Sequence, residues 1–113
     1  MIIKTILLMS TMLSFSAFAV DNDFDKVCGY FEQLDSILAK NKKVMNNTQQ
    51  ADFISQLVKK ELHVNSSARE TWEVIIYAVP EERYGMYKSA AEEILKSSWQ
   101  CEAMKNHTSH TGE

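Results

Sequence analysis

The stretch that decides the fold is residues 24–40, FDKVCGYFEQLDSILAK. Its apolar side chains recur at spacings of three and four, which places them on one face of a helix. That face consists of Phe24, Val27, Cys28, Phe31, Leu34 and Leu38. Tyr30 and Ile37 widen it, as is typical of a helix that packs against two neighbours. The stretch therefore predicts the first helix of an all-α domain, running from about Phe24 to Lys40.

The same spacing continues in a second and a third helix. Asn47 or Thr48 can cap the second, whose apolar residues are Phe53, Ile54, Leu57, Val58 and Leu62. Ser67, with Glu70 three residues later, predicts a capping box at the start of the third helix. That helix is expected to end at Val79, because a proline disfavours helical geometry in the residue before it.

Pro80 is expected to open a fourth helix, since proline fits the first helical position, and acidic Glu81 and Glu82 suit the first turn. Its inward face is predicted to hold Tyr84, Tyr87, Ala91, Ile94 and Leu95. Four helices with short connections predict a small antiparallel bundle. In such a bundle the start of the first helix and the end of the fourth lie together. Cys28 and Cys101 occupy these two places, so we expect one disulfide to close the bundle.

The N-terminal residues resemble an export signal. Lys4 precedes an apolar run, and Ala17-Phe18-Ala19 has the small-x-small pattern of a cleavage site. We therefore predict a signal peptide at residues 1–19, one helical domain at 20–104 and a disordered polar tail at 105–113. Export implies the periplasm or secretion, an oxidising environment for the disulfide, and no membrane span after cleavage.

Composition narrows the function classes. The chain has 113 residues and a formal net charge of −3, which disfavours nucleic acid as a partner. No serine or cysteine nucleophile motif is present, and Glu81-Glu82 and Glu92-Glu93 are adjacent pairs that point in different directions on a helix. We expect no enzyme activity and no cofactor.

A metal site is an alternative that the C-terminal residues raise. His107 and His110 follow Met104 and Cys101, and these residue types bind copper or zinc. A flexible tail and a disulfide-bonded cysteine make a poor preformed site, so we predict no metal there. The carrier of a metal or small ligand remains the second function class.

The third helix carries more apolar residues than one face needs. Val74 and Tyr77 lie off the stripe formed by Ala68, Trp72, Ile75, Ile76 and Val79. Either the helix is central and covered on most sides, or Val74 and Tyr77 present a second face to a partner. The residues assigned to this partner surface are Val74, Tyr77, Glu82, Arg83 and Tyr84.

Residues 48–80 contain a helix at 52–58, the small-residue cap Ser66-Ser67-Ala68 and an apolar helix that ends in Val79-Pro80. This pattern resembles small periplasmic immunity proteins that neutralise cell-wall amidase toxins delivered by type VI secretion. The resemblance implies a small, helical, exported and disulfide-stabilised protein. Glu81 stands where the resemblance leads us to expect a cysteine.

The leading hypothesis is thus a small exported protein-binding module, with an inhibitor or immunity protein as its most specific form. Its partner is expected to be another periplasmic protein or a second copy of the chain. A metal or small-ligand carrier and a purely structural periplasmic protein are the alternatives.

Overall fold

The computed structural model describes residues 23–40 and 45–108, with side chains through residue 107. The predicted signal peptide and residues 109–113 of the predicted tail lie outside these ranges. The described residues form five helices and no strand: α1 (23–40), α2 (Asn47–Glu61), α3 (Ser67–Ile75), α4 (Pro80–Leu95) and α5 (Glu102–Thr108). The all-α prediction is confirmed, whereas the predicted count of four helices is wrong.

The caps of α2 and α3 lie earlier in the chain than predicted. Asn46, rather than Asn47 or Thr48, caps α2: the Gln49 N–H donates to Asn46 Oδ1 at 2.8 Å, and the Asn46 N–H donates to Gln49 Oε1 at 3.0 Å. Ser66, rather than Ser67, caps α3 by accepting from the Arg69 N–H at 3.3 Å. Small polar residues are adjacent at both places, so composition alone does not choose between them.

The end of α3 differs more from the prediction. The helix ends at Ile75 and is followed by a turn through residues 76–79. In that turn the Ala78 N–H donates to the Ile75 carbonyl at 2.9 Å, a three-residue spacing that tightens the chain. Val79 takes an extended conformation at the N-cap position of α4, without a side-chain capping hydrogen bond. Pro80 is the first residue of α4, as predicted.

The core is built around aromatic rings from α1, α3, α4 and the segment before α5. Tyr87 is fully buried and meets Phe24, Trp72 and Trp99 at ring-centroid distances of 5.4, 6.4 and 5.6 Å. Its hydroxyl donates to the Ala68 carbonyl at 3.1 Å, which satisfies the buried polar end of the ring. The predicted inward stripe of α1 is buried or packed against this core. The helix α3 packs between α2 and α4.

The predicted disulfide is present. Cys28 of α1 and Cys101, which directly precedes α5, are bonded, with 5.7 Å between their Cα atoms. Residues 73 positions apart are thereby joined.

The helix α5 was missed from the sequence. The prediction of disorder from residue 105 is wrong for residues 105–108, which belong to α5. Met104 of this helix is fully buried, and Ala103 is 8% exposed. The His107 ring lies against Phe31, with ring centroids 6.0 Å apart. No helix within the described ranges is long and apolar enough to cross a membrane.

Candidate protein-docking surface

Large apolar side chains are exposed where α3 turns into α4. Val74 is 67% exposed, Tyr77 87% and Val79 51%, and Met86 on α4 is 43% exposed. These four residues are called the turn surface below. The helix α3 lies between α2 and α4, but Val74 and Tyr77 are not covered by them. Val79 is exposed and does not belong to the core stripe. Tyr77 and Val79 lie beyond Ile75, where α3 ends, so the chain no longer directs them inward at helical spacing. Val74 and Met86 lie on the exposed sides of α3 and α4.

Arg83 holds this turn in place from the inner side. Its guanidinium donates to the carbonyl oxygens of Ile76, at 3.0 Å, and Ala78, at 3.2 Å. Partial burial lowers the pKa of the Arg83 side chain from its ordinary value. One guanidinium thus binds the backbone on both sides of Tyr77. Arg83, assigned to the partner surface, is half-buried and supports the turn from within the molecule.

Tyr84 also serves the fold. Its ring lies 6.4 Å from that of Trp99, and its hydroxyl oxygen accepts from the Cys101 N–H at 3.2 Å. The five residues assigned to the partner surface thus separate: Val74, Tyr77 and Glu82 are exposed, whereas Arg83 and Tyr84 are engaged within the molecule. Met86 and Val79 were missed. Met86 lies off the predicted inward stripe of α4, and this position could have indicated that its side chain is exposed.

Two shallow grooves border the turn surface, and both contain Met86. The groove between α3 and α4 has a volume of about 390 Å³ and is lined by Glu70, Thr71, Val74, Ile75, Met86 and Ala90. The other runs along α4 and is lined by Glu81, Glu82, Gly85, Met86 and Ser89. Neither Glu70 nor Glu82 forms an ion pair within the part of the chain that the structure describes. Val74 and Met86 are therefore bordered by carboxylates that have no ion pair in the described ranges.

A cleft of about 310 Å³ lies behind Tyr77, between α2 and α3. Its lining residues are Ser55, Lys59, Trp72, Glu73, Ile76 and Tyr77. The Trp72 indole N–H donates to Ser55 Oγ at 2.9 Å, and Glu73 pairs with Arg69 at 2.9 Å. The polar groups of Trp72, Ser55 and Glu73 are therefore engaged within the molecule.

The predicted donors of a C-terminal metal site are not brought together. Cys101 is in the disulfide, Met104 is buried, and His110 lies outside the described residues. Within 23–40 and 45–108 no group of three His, Cys, Asp or Glu residues is placed to hold a metal ion. In the same ranges every buried side-chain nitrogen and oxygen has a hydrogen-bond partner.

The chain matches no protein-family model, no curated protein and no solved structure. Its function is therefore inferred from the geometry of the turn surface.

Proposed function

We propose that this protein is a small exported protein-binding module that docks its partner on the turn surface. The observation that carries the proposal is Tyr77, an aromatic side chain 87% exposed on a turn that Arg83 binds at two carbonyls. Tyrosine is enriched among the residues that dominate interface energies. A turn already held in one conformation loses little entropy when a partner binds, which favours affinity.

An inhibitor or immunity protein is the most specific form of this proposal. Such a protein acts by covering its partner, so it needs a rigid scaffold and an exposed contact surface rather than catalytic groups. The resemblance to periplasmic immunity proteins spans residues 48–80. That range includes Val74 and Tyr77 of the turn surface. The Cys28–Cys101 bridge supports the scaffold, and Glu81 remains a departure from the resemblance.

The first experiment places a photo-cross-linking amino acid, p-benzoylphenylalanine, at position 77 in the producing cell. Position 64 provides a matched control, because Val64 is also a large apolar residue, 59% exposed, in a different turn. A docking surface at α3–α4 gives a covalent adduct with another protein from position 77 and none from position 64. Equal adducts from both positions, or none from position 77, contradict the proposal. An adduct of two copies of this chain identifies a homodimer instead.

The second experiment measures affinity for the partner that cross-linking identifies. Tyr77→Ala is expected to weaken binding by at least about 5-fold, or 1 kcal/mol, and to change the unfolding midpoint little, because Tyr77 buries almost no surface in the free protein. Val64→Ala is the control and should leave affinity unchanged. Unaltered affinity in Tyr77→Ala removes Tyr77 from the interface.

Export is tested separately by N-terminal sequencing of the protein recovered from its native compartment. Cleavage at the predicted site gives a chain that begins with Val20. An intact N-terminus, recovered from the cytoplasm, contradicts export.

A further inference from the structure

Gly85 stands on the exposed side of α4, where the fold itself provides no reason for a glycine. A helix-interior glycine destabilises the helix relative to alanine, because it loses more backbone entropy on folding. A Cβ atom built at Gly85 meets no atom within 4 Å, and no glycine among the described residues has a positive φ angle. Therefore neither packing within the molecule nor backbone geometry requires that position 85 lack a side chain.

The position of Gly85 on the surface supplies a reason. It lines the α4 groove beside Glu82 and Met86, and Met86 also lines the α3–α4 groove together with Val74. A glycine within a binding groove lets the main chain of another molecule approach closely. The stretch of α4 at Gly85 is thus continuous, through Met86, with Val74 of the turn surface.

The charges along this surface indicate the chemistry of the approaching chain. Glu82 lines the α4 groove together with Gly85. Glu70 lines the α3–α4 groove together with Val74 and Met86. Both carboxylates are without an ion pair in the described ranges. Of the nearby cations, Arg69 pairs with Glu73, and Arg83 donates to two backbone carbonyls. An apolar surface bordered by free carboxylates complements an apolar side chain flanked by cations.

We infer that the occupant is a basic protein segment whose main chain crosses Gly85. It places an apolar side chain between Val74 and Met86, and lysine or arginine side chains near Glu70 and Glu82. This inference rests on the proposed function and specifies its partner.

The test is an NMR titration of the isotope-labelled, oxidised protein with two synthetic peptides. One is Lys-Lys-Leu-Trp-Lys-Lys and the other Glu-Glu-Leu-Trp-Glu-Glu, both with blocked ends. The lysine peptide is expected to shift the amide signals of residues 70–90 and to bind at least about 5-fold more tightly than the glutamate peptide. Equal affinities, tighter binding of the glutamate peptide, or no shifts in residues 70–90 with the lysine peptide overturn the inference.

Two glycine variants provide matched controls. Gly85→Ala is expected to raise Tm, because alanine favours the helix and meets no atom, and to weaken binding of the lysine peptide at least about 5-fold. Gly29 of α1 also has no atom within 4 Å of a built Cβ but lines neither groove, so Gly29→Ala should raise Tm and leave peptide affinity unchanged. Unchanged affinity in Gly85→Ala overturns the close approach.

Failure of this inference is distinguishable from failure of the proposed function. A cross-link from position 77 that persists unchanged in Gly85→Ala and in the double variant Glu70→Gln/Glu82→Gln leaves Tyr77 as a docking residue and overturns the basic segment. Loss of the cross-link in both, with Gly29→Ala unaffected, supports the basic segment.

Discussion

The Asp25 carboxylate accepts a hydrogen bond from the indole N–H of Trp99 at 3.1 Å, across 74 positions of the chain. The Trp99 ring is 5% exposed and lies 6.3 Å from Phe24, which neighbours Asp25 in α1. One side chain thus connects α1 to the segment between α4 and α5, both by packing and by a polar contact.

Two variants of Trp99 separate these contributions. Trp99→Ala is expected to lower the free energy of unfolding by about 3–5 kcal/mol, through lost burial and a residual cavity. Trp99→Phe keeps most of the ring and loses the hydrogen bond to Asp25, so its cost should be about 1–2 kcal/mol. Urea unfolding of both variants measures the difference. Midpoints for Trp99→Ala that match those of the unaltered protein contradict the packing at this residue.

Reduction of the disulfide should destabilise the whole domain. The bond closes a loop of 73 residues, for which chain-entropy reasoning gives about 4 kcal/mol. Urea midpoints are compared with and without dithiothreitol. The double variant Cys28→Ala/Cys101→Ala is the control: it should match the reduced protein and show no response to the reagent. A reduced protein as stable as the oxidised one contradicts the prediction.

The His107 side chain of α5 contacts polar side chains of two other helices. Its Nε2 lies 2.5 Å from Asp35 Oδ1 in α1, and its Nδ1 lies 3.0 Å from Gln50 Oε1 in α2. We expect His107→Ala to lower the free energy of unfolding by about 1–2 kcal/mol. Asn106→Ala changes an exposed neighbour on the same helix and should stay within about 0.5 kcal/mol. Equal effects in thermal unfolding would mean that these contacts contribute nothing to stability.

Glu92 should make stability depend on acid pH. Its carboxylate accepts from Lys88 Nζ at 2.6 Å and from the Trp99 N–H at 3.0 Å, and these bonds hold the pKa of Glu92 below its ordinary value. Because the folded state lowers the pKa, the stabilisation is present above the pKa of the unfolded chain, about 4.5, and is lost as pH falls through the folded value. Glu92→Gln should therefore show a smaller loss of Tm between pH 7 and pH 3 than the unaltered protein.

Glu93→Gln is the matched control for that series, since Glu93 is the adjacent, exposed carboxylate of α4. It should retain the full acid-dependent loss of Tm. A Glu93→Gln curve that coincides with the Glu92→Gln curve refutes the assignment to Glu92.

Periodicity predicted the parts of the fold that depend on long amphipathic helices. The stripe of α1, the start of α4 at Pro80 and the Cys28–Cys101 pairing were all accessible from spacing. The all-α class follows from the same pattern. These features extend over many residues, so a single ambiguous position does not alter them.

Short and locally ambiguous features could not be predicted from periodicity. The helix α5 has seven residues, too few for a periodic signal, and is held by the burial of Met104 and the contacts of His107. The end of α3 depends on Arg83, whose bonds to the carbonyls of Ile76 and Ala78 come from the next helix. For the candidate site, spacing showed that Val74 and Tyr77 lie off the apolar stripe. The early end of α3, which leaves Tyr77 in an exposed turn, was not predictable from spacing.

The Cys28–Cys101 bond changes what a single backbone cut does to the molecule. It joins residues near the two ends of the described chain, so one peptide bond cut anywhere between them leaves a single covalent molecule. A protease that nicks the exposed turn at 63–65, between α2 and α3, would open the backbone without releasing a fragment. On a denaturing gel without reductant the nicked protein keeps the mass of the intact one, and only thiol treatment resolves it into two pieces.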